Sequence, residues 1–229
     1  MNTTNKPTHI GIIPDGNRRW AVEKGKSKIQ GHTEGAKNIR RIVETAIKHQ
    51  IPHLTIWLYS TENLLRGKTE VAHLLYLSAK ITDYIPDMMK LNIRVQFVGD
   101  LERLPKRLQT KFDKVEKETK DNTGITLTFA CGYGGRDDMI RATRRAIEDG
   151  LNSKQITEDT FGKYVDLGDA PDFELVIRTG GRSRMSGFFP WQTVYSEWYF
   201  TDMYWPAFDE KEFEKALEWF DKRERTRGK

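Results

Sequence analysis

The sequence predicts an α/β fold, a single domain with a central, mostly parallel sheet flanked by helices. Short β-rich apolar runs alternate along the chain with segments of helical periodicity, and the connections between successive runs are long enough for crossovers. Four of the runs also end in clusters of Gly, Arg, Asn, Ser or Asp. Parallel strands place their carboxyl ends on one edge of a sheet, the edge beyond which ligands of open parallel sheets bind. Four clusters on one edge therefore read as parts of one site.

The chain opens on His9-Ile10-Gly11-Ile12-Ile13, a buried strand, with residues 1–8 ahead of it expected to be flexible. Straight after it come Pro14-Asp15-Gly16-Asn17-Arg18-Arg19-Trp20. Gly16 lets the backbone approach a ligand closely, Arg18 and Arg19 offer planar forks for phosphate oxygens, and Asp15 suits a hard divalent cation bridging to those oxygens. A simple Asp-Gly turn followed by solvated arginines fits the same residues. Residues 33–49 place Ala36, Ile39, Val43, Ala46 and Ile47 at helical spacing. Leu54 to Leu58 reads as a core strand ending at Tyr59-Ser60-Thr61-Glu62-Asn63.

Thr69 to Met89 reads as one long helix whose apolar stripe, from Val71 through Leu74, Leu77, Ile81 and Ile85 to Met88, covers more than half its circumference. Such a stripe faces two neighbours in a core or lines a greasy pocket. Ile93 to Val98 alternates and belongs nearer the sheet's edge, and residues 105–120 form a charged helix with Leu108, Phe112 and Val115 inward. Ile125 to Cys131 is another strand, running into Gly132-Tyr133-Gly134-Gly135-Arg136. A helix through Met139 and Ile147 stops at Gly150, and residues 157–166 form a shorter one. Phe173 to Ile177 leads into Arg178-Thr179-Gly180-Gly181-Arg182-Ser183-Arg184-Met185-Ser186. Trp198 to Phe200 is a last short strand, and Asp209 to Arg225 a terminal helix with Phe213, Leu217 and Phe220 inward.

With 229 residues and no repeat or linker, the chain is expected to form one domain over 1–229, with 222–229 as a basic tail. Its net charge of +5 suits an anionic partner. Basic residues are interleaved with acids and no recognition module is visible, so a nucleic-acid partner is not expected. The single cysteine, Cys131, excludes an intramolecular disulfide and a Cys-rich zinc site, fits a cytoplasmic setting, and reads as a buried core thiol. No apolar run approaches the roughly 18 residues that span a bilayer, so any membrane contact is expected to be peripheral.

No Walker loop and no G-x-G-x-x-G after a strand is present, and Ser60 and Ser186 lack an associated His and acid. His9 and His53, inside strands, read as structural, while His32 is better placed to meet phosphate. Arg18, Arg19, Arg178, Arg182 and Arg184 together exceed what one monoester needs. Anion binding beside apolar helix faces suggests a substrate with a diphosphate head and a hydrocarbon tail.

Asp15-Gly16-Asn17-Arg18-Arg19-Trp20, Gly31-His32, Ser60-Thr61-Glu62-Asn63, Tyr133-Gly134-Gly135-Arg136, Arg178-Thr179-Gly180-Gly181 with Arg184 and Ser186, and Tyr195-Ser196-Glu197-Trp198-Tyr199-Phe200-Thr201-Asp202 resemble, in order, the signature blocks of the cis-prenyltransferases, nearest the undecaprenyl diphosphate synthases. The resemblance runs from about His9 to Gly228. It implies a homodimeric, Mg²⁺-dependent enzyme that condenses isopentenyl diphosphate with an allylic diphosphate, farnesyl or geranylgeranyl, to a Z-polyprenyl diphosphate.

By the same resemblance, Asp15 would hold Mg²⁺ on the primer diphosphate and Glu197, from its own or the partner subunit, would share it. Gly16, Asn17, Arg18 and Arg19 would cradle the primer diphosphate, with Lys28 and His32 completing the anion site. Trp20, Ser60, Glu62 and Arg66 join the implied substrate-binding set. Arg178, Arg184 and Ser186 would hold isopentenyl diphosphate, and Asn63, with Ser60 nearby, would position the proton that it loses. The tail would lie along Leu74, Leu77, Ile81, Ile85 and Met88.

The chain departs from the family pattern at several positions: Pro14 for Met, Lys28 for Arg, Leu64 for an aromatic, Arg182 for an acid, Gly187 for Asn, and Thr226 for the Arg of a C-terminal Arg-x-Gly. Leu58, where a small residue is common in the family, would narrow the tunnel and shorten the product. A non-catalytic partner subunit is the rival reading, and Asp15 with the intact Arg178 loop speaks against it.

Overall fold

In the computed structural model, which describes residues 5–224, the apolar runs become six strands: β1 His9–Ile13, β2 His53–Ser60, β3 Arg94–Val98, β4 Thr126–Tyr133, β5 Leu175–Arg178 and β6 Glu197–Phe200. They form one sheet in the order β3-β4-β2-β1-β5-β6, and every pairing is parallel. Residues 225–229 of the basic tail, including Arg225, Thr226, Arg227 and Gly228, lie outside the described residues, as do residues 1–4. Residues 5–8, expected to be flexible, are tied down: Asn5 donates to Asp221 O (3.0 Å) and the Thr8 amide to Glu174 (2.7 Å).

Alternation along the strands builds a core on each side of the sheet. Ile10 and Ile12 of β1 and Leu54 and Ile56 of β2 point to one face, covered by α2 Lys28–Lys48, α3 Lys68–Ala79, α4 Ile85–Lys90, α5 Lys106–Thr119 and α8 Glu210–Asp221. Ile13, Trp57, Tyr133 and Val176 point to the other face, where they pack with Phe173, Phe188 and Phe189. The remaining helices are α1 Asn17–Glu23, α6 Gly135–Glu148 and α7 Glu158–Gly162. His9 and Cys131 are both buried. His9 is satisfied by Pro171 O (2.6 Å) and Thr55 Oγ1 (2.8 Å), and burial lowers its pKa to about 4.

Three elements differ from the sequence reading. Residues 17–23, read as a polar turn, form α1. The long helix expected over 69–89 breaks into α3, a 3-10 turn over Lys80–Tyr84 and α4. Pro86 has no amide to continue the helical ladder, so it restarts a helix rather than extending one. The helix expected over 157–166 is cut to the five residues of α7.

The two sheet edges are treated differently. At β3 the outward amides are satisfied by α5: Val95 N donates to Thr119 Oγ1 (3.1 Å) and Phe97 N to Glu116 (2.7 Å). The β6 edge exposes apolar side chains instead, with Val194 and Tyr195 before the strand and Phe200 at its end.

Candidate active site

The connections from β1 and β5 leave toward opposite sides of the sheet, and an open α/β sheet binds its ligands at such a switch point. Ile13 pairs with Arg178 there, so the Asp15 loop and the Arg178 loop start side by side. Gly16 sits at φ 103°, and a Cβ at that position would meet the Tyr204 ring at 2.6 Å. Gly180, at φ 84°, brings the second loop against the Asp15 backbone, where a Cβ would lie 2.9 Å from Asp15 O. Both positions need glycine. Asp15 O then accepts from Thr179 Oγ1 (2.7 Å) and Trp205 N (3.0 Å), which locks the two loops together.

The Asp15 carboxylate is shared. Oδ1 accepts from Gly16 N (2.6 Å) and Arg19 (3.2 Å), and Oδ2 accepts from Arg178 Nη2 (3.1 Å). Arg178 is almost wholly buried and also donates to Ser186 Oγ (2.8 Å) and to Arg184 O, while its Nε has no hydrogen-bond partner. So held, Arg178 presents a fixed positive charge beside the Asp15 loop.

A second counter-ion, Glu70 on α3, was not foreseen from the sequence. It meets Arg66 at 2.8 Å, His32 at 3.3 Å and Arg18 at 3.7 Å. Burial pushes the Glu70 carboxyl up, but Arg66, Arg18 and His32 together hold it below its ordinary value. Burial lowers the pKa of His32 against the pull of the Glu70 hydrogen bond and charge. The β2 end closes the site from the other side: Ser60 N donates to Asn63 Oδ1 and Asn63 N to Ser60 Oγ, both at 3.3 Å. Glu62 is held low chiefly by its hydrogen bond with Ser60.

Together these loops enclose a cavity of about 960 Å³. Every expected binding or catalytic residue lines it except Trp20 and Glu197: Asp15, Gly16, Asn17, Arg18, Arg19, Lys28, His32, Ser60, Glu62, Asn63, Arg66, Arg178, Arg184 and Ser186. Arg182 and Tyr204 also line it. Its wall carries seven Lys or Arg side chains against the three carboxylates of Asp15, Glu23 and Glu62.

Within one chain Glu197 stands away from Asp15, since it opens β6 opposite Leu175, three residues before the Arg178 level, so a shared metal would need the Glu197 of a second subunit. Trp20 lies outside the wall, with Lys26 Nζ over its ring at 5.1 Å. The Gly132–Arg136 cluster does not line the cavity either. It buttresses it: Gly135 N donates to Gly187 O (2.9 Å), and a Cβ on Gly134 would meet Thr61 at 2.6 Å.

A second, apolar cavity of about 410 Å³ lies between α2, α3, α4 and the sheet. It shares Pro14, Asn17, His32, Leu58, Tyr59 and Leu74 with the first, so the two cavities adjoin. Leu74, Leu77, Ile81 and Met88 form its wall as expected, whereas Ile85 packs into the core. Leu58 and Tyr59 both face this side because β2 is bulged there. Trp57 pairs with Ala130 and Tyr59 with Cys131, which leaves Leu58 as the extra residue, and Gly132 compensates in β4 at φ 60°.

A cation-lined cavity beside a hydrocarbon-lined one, at the carboxyl edge of a parallel sheet, has the form expected of a transferase of prenyl groups. The chain belongs to the undecaprenyl diphosphate synthase family, since residues 13–228 match the family described as "Putative undecaprenyl diphosphate synthase". It is 45% identical to an isoprenyl transferase of Fusobacterium nucleatum, over 98% of this chain and 96% of the relative. It is 41% identical to a ditrans,polycis-undecaprenyl-diphosphate synthase ((2E,6E)-farnesyl-diphosphate specific) of Photorhabdus laumondii, over 97% of this chain and 89% of the relative. Among solved structures, lavandulyl diphosphate synthase from Lavandula x intermedia in complex with dimethylallyl diphosphate superposes with a TM-score of 0.94 at 33% identity, covering 98% of this chain and 99% of that one.

Proposed function

We propose that the chain condenses isopentenyl diphosphate with an allylic diphosphate, farnesyl or geranylgeranyl, to a Z-polyprenyl diphosphate, releasing diphosphate. The observation that carries this reading is the adjacency of the two cavities, one cation-lined and one apolar, which suits a diphosphate head beside a polyprenyl tail. Arg18, Arg19, Lys28 and His32 are assigned to the primer diphosphate, and Arg178, Arg184 and Ser186 to that of isopentenyl diphosphate. Fixed guanidiniums stabilise the charge that develops on the departing diphosphate, and holding both diphosphates aligns the alkene with the allylic carbon. Asn63 and Ser60 are assigned to the side from which the proton of isopentenyl diphosphate leaves. The farnesyl-specific name of the Photorhabdus relative favours a farnesyl primer.

Mg²⁺ is part of the proposal. Among the described residues no group of three or more His, Cys, Asp or Glu side chains is placed to hold a metal ion. Mg²⁺ does not need one, because it is commonly held by one or two carboxylates and completes its shell with water and substrate phosphates. Asp15, a single carboxylate among diphosphate-binding arginines, fits that role. Bound there, Mg²⁺ would neutralise charge on the leaving diphosphate.

The proposal extends to a homodimer formed through β6, supported by the exposure of Val194 (67%), Tyr195 (63%) and Phe200 (38%) at that edge. No described helix is long and apolar enough to cross a membrane, consistent with contact to lipid being peripheral. Leu58 at the neck between the cavities supports a product shorter than undecaprenyl. The test is incubation with Mg²⁺, isopentenyl diphosphate and allylic primers of increasing length, with products sized by chromatography. Products shorter than C55 are expected, a C55 main product removes the short-chain reading, and no incorporation with any primer removes the enzyme reading.

A further inference from the structure

The connection between α1 and α2 is a tight knob beside the mouth of the cation-lined cavity. Lys26 N donates to Ala21 O (2.7 Å) and Gly25 N to Val22 O (3.1 Å), with Gly25 at φ 64°, so α1 ends in a Schellman closure. Ser27 starts α2 with a capping box, exchanging hydrogen bonds with Gln30. The knob is therefore fixed at both of its ends. It also stands clear of the molecule: residues 22–30 are all exposed, and a Cβ on Gly25 would meet nothing within 4 Å.

What the knob presents is unusual for a solvated turn. Lys24, Lys26 and Lys28 lie within five residues, and among the described residues none of them has an ion-pair partner. Three other exposed cations of α2 are ion-paired, Lys37 with Glu34, Arg40 with Glu44 and Asp87, and Lys48 with Glu210, and Arg41 donates to Phe208 O (3.2 Å). Beside the three lysines stand two large exposed apolar side chains, Val22 (67%) and Ile29 (36%), with the Trp20 ring under Lys26. Glu23 is the one acid in the segment. Unpaired lysines interleaved with Trp, Val and Ile match the chemistry of a bilayer's headgroup region, where anionic headgroups take the ammoniums and apolar tips enter the acyl boundary.

We propose that the Lys24–Ile29 knob docks the protein on an anionic lipid bilayer, with the mouth of the cation-lined cavity against the membrane surface. Lys28 of the knob, and Val22 and Glu23 that lead into it from α1, line the cavity wall, so docking places the mouth at the lipid. The choice of a bilayer as partner rests on the proposed function, since a polyprenyl product has to leave water for lipid.

Docking is read without any substrate, so its failure and that of the transferase reading are separate. Full-length protein is sedimented with phosphatidylcholine vesicles, with and without phosphatidylglycerol, at low and high salt. A lysine near an anionic surface is worth about fivefold in partitioning, so the double variant Lys24→Gln and Lys26→Gln is expected to bind anionic vesicles about 25-fold more weakly. Ile29→Ser is expected to weaken binding further at any salt, whereas raising the salt weakens the wild type alone toward the double variant. Lys26 gives up its place over the Trp20 ring and Ile29 is partly covered, so an unchanged melting temperature is required of each variant as the check on the fold. Equal binding to neutral and anionic vesicles, binding unchanged in the double variant, or binding to RNA with vesicles ignored would overturn the proposal.

Discussion

Replacing Asp15 with Ala removes a carboxylate that serves two partners at once. In the folded chain it neutralises Arg178, whose side chain is 5% exposed, and orders Arg19 at 3.2 Å. A hydrogen bond to a charged group contributes about 1.5–3 kcal/mol, and the 33% exposure of Asp15 lets water offset part of its loss. A destabilisation of about 1–2 kcal/mol follows, which for a chain of this size lowers the melting temperature by about 2–8 °C. Added inorganic diphosphate replaces the missing counter-ion of Arg178, so the variant is expected to regain more stability from diphosphate than the wild type does. Condensation, on the proposed role of Asp15, falls below detection. Asp15→Asn keeps a neutral acceptor and separates the two effects: stability is restored in part and turnover is not. Scanning calorimetry with and without diphosphate, beside a labelled isopentenyl diphosphate assay, reads both. Turnover within a few-fold of wild type would refute the role given to Asp15, and an unchanged melting temperature would refute the counter-ion argument.

Three further outcomes are expected. Glu70→Gln removes the hydrogen bond and the charge that raise the His32 pKa, so His32, followed by NMR titration, should titrate lower still, and an upward shift contradicts the hub. Tyr59→Phe deletes a buried hydroxyl whose neighbours, Ser78 and Cys131, are not placed for a well-formed hydrogen bond, so the variant should be more stable by about 1 kcal/mol. A loss of stability would show that the phenol pairs with Ser78 or Cys131. Asp138, buried and beside Asp166, has its folded pKa raised from 3.8 to about 6, so the stability it contributes is present below the unfolded value and is lost as pH rises through 6. Asp138→Asn cannot lose that proton, and Tyr133 can exchange donor and acceptor roles with the new amide. The melting temperature of the variant relative to wild type should therefore climb between pH 5 and pH 7.5, and a flat or falling difference contradicts the assignment.

The parallel sheet and most of the site were legible because both are written locally. Apolar runs mark the strands, and the polar clusters at their ends need only the sheet's parallel sense to converge. What escaped depends on distance or on register. Glu70 reads as one more acid on a helix until folding brings it to His32, 38 residues away. The bulge that turns Leu58 and Tyr59 to one face overrides the alternation from which strand faces are read. The break at Lys80–Tyr84 was signalled by Pro86, a weaker signal than the uninterrupted apolar stripe running through it. Residues 17–23 carry mostly polar side chains, so α1 has little apolar periodicity to betray it.

The most direct test of the central claim is to follow labelled isopentenyl diphosphate with the purified wild-type chain, Mg²⁺ and farnesyl diphosphate, and to determine the double-bond geometry of the product. The account predicts one diphosphate released for each isoprene unit added, with every new double bond Z. New double bonds of E geometry, or no incorporation of isopentenyl diphosphate, would contradict it.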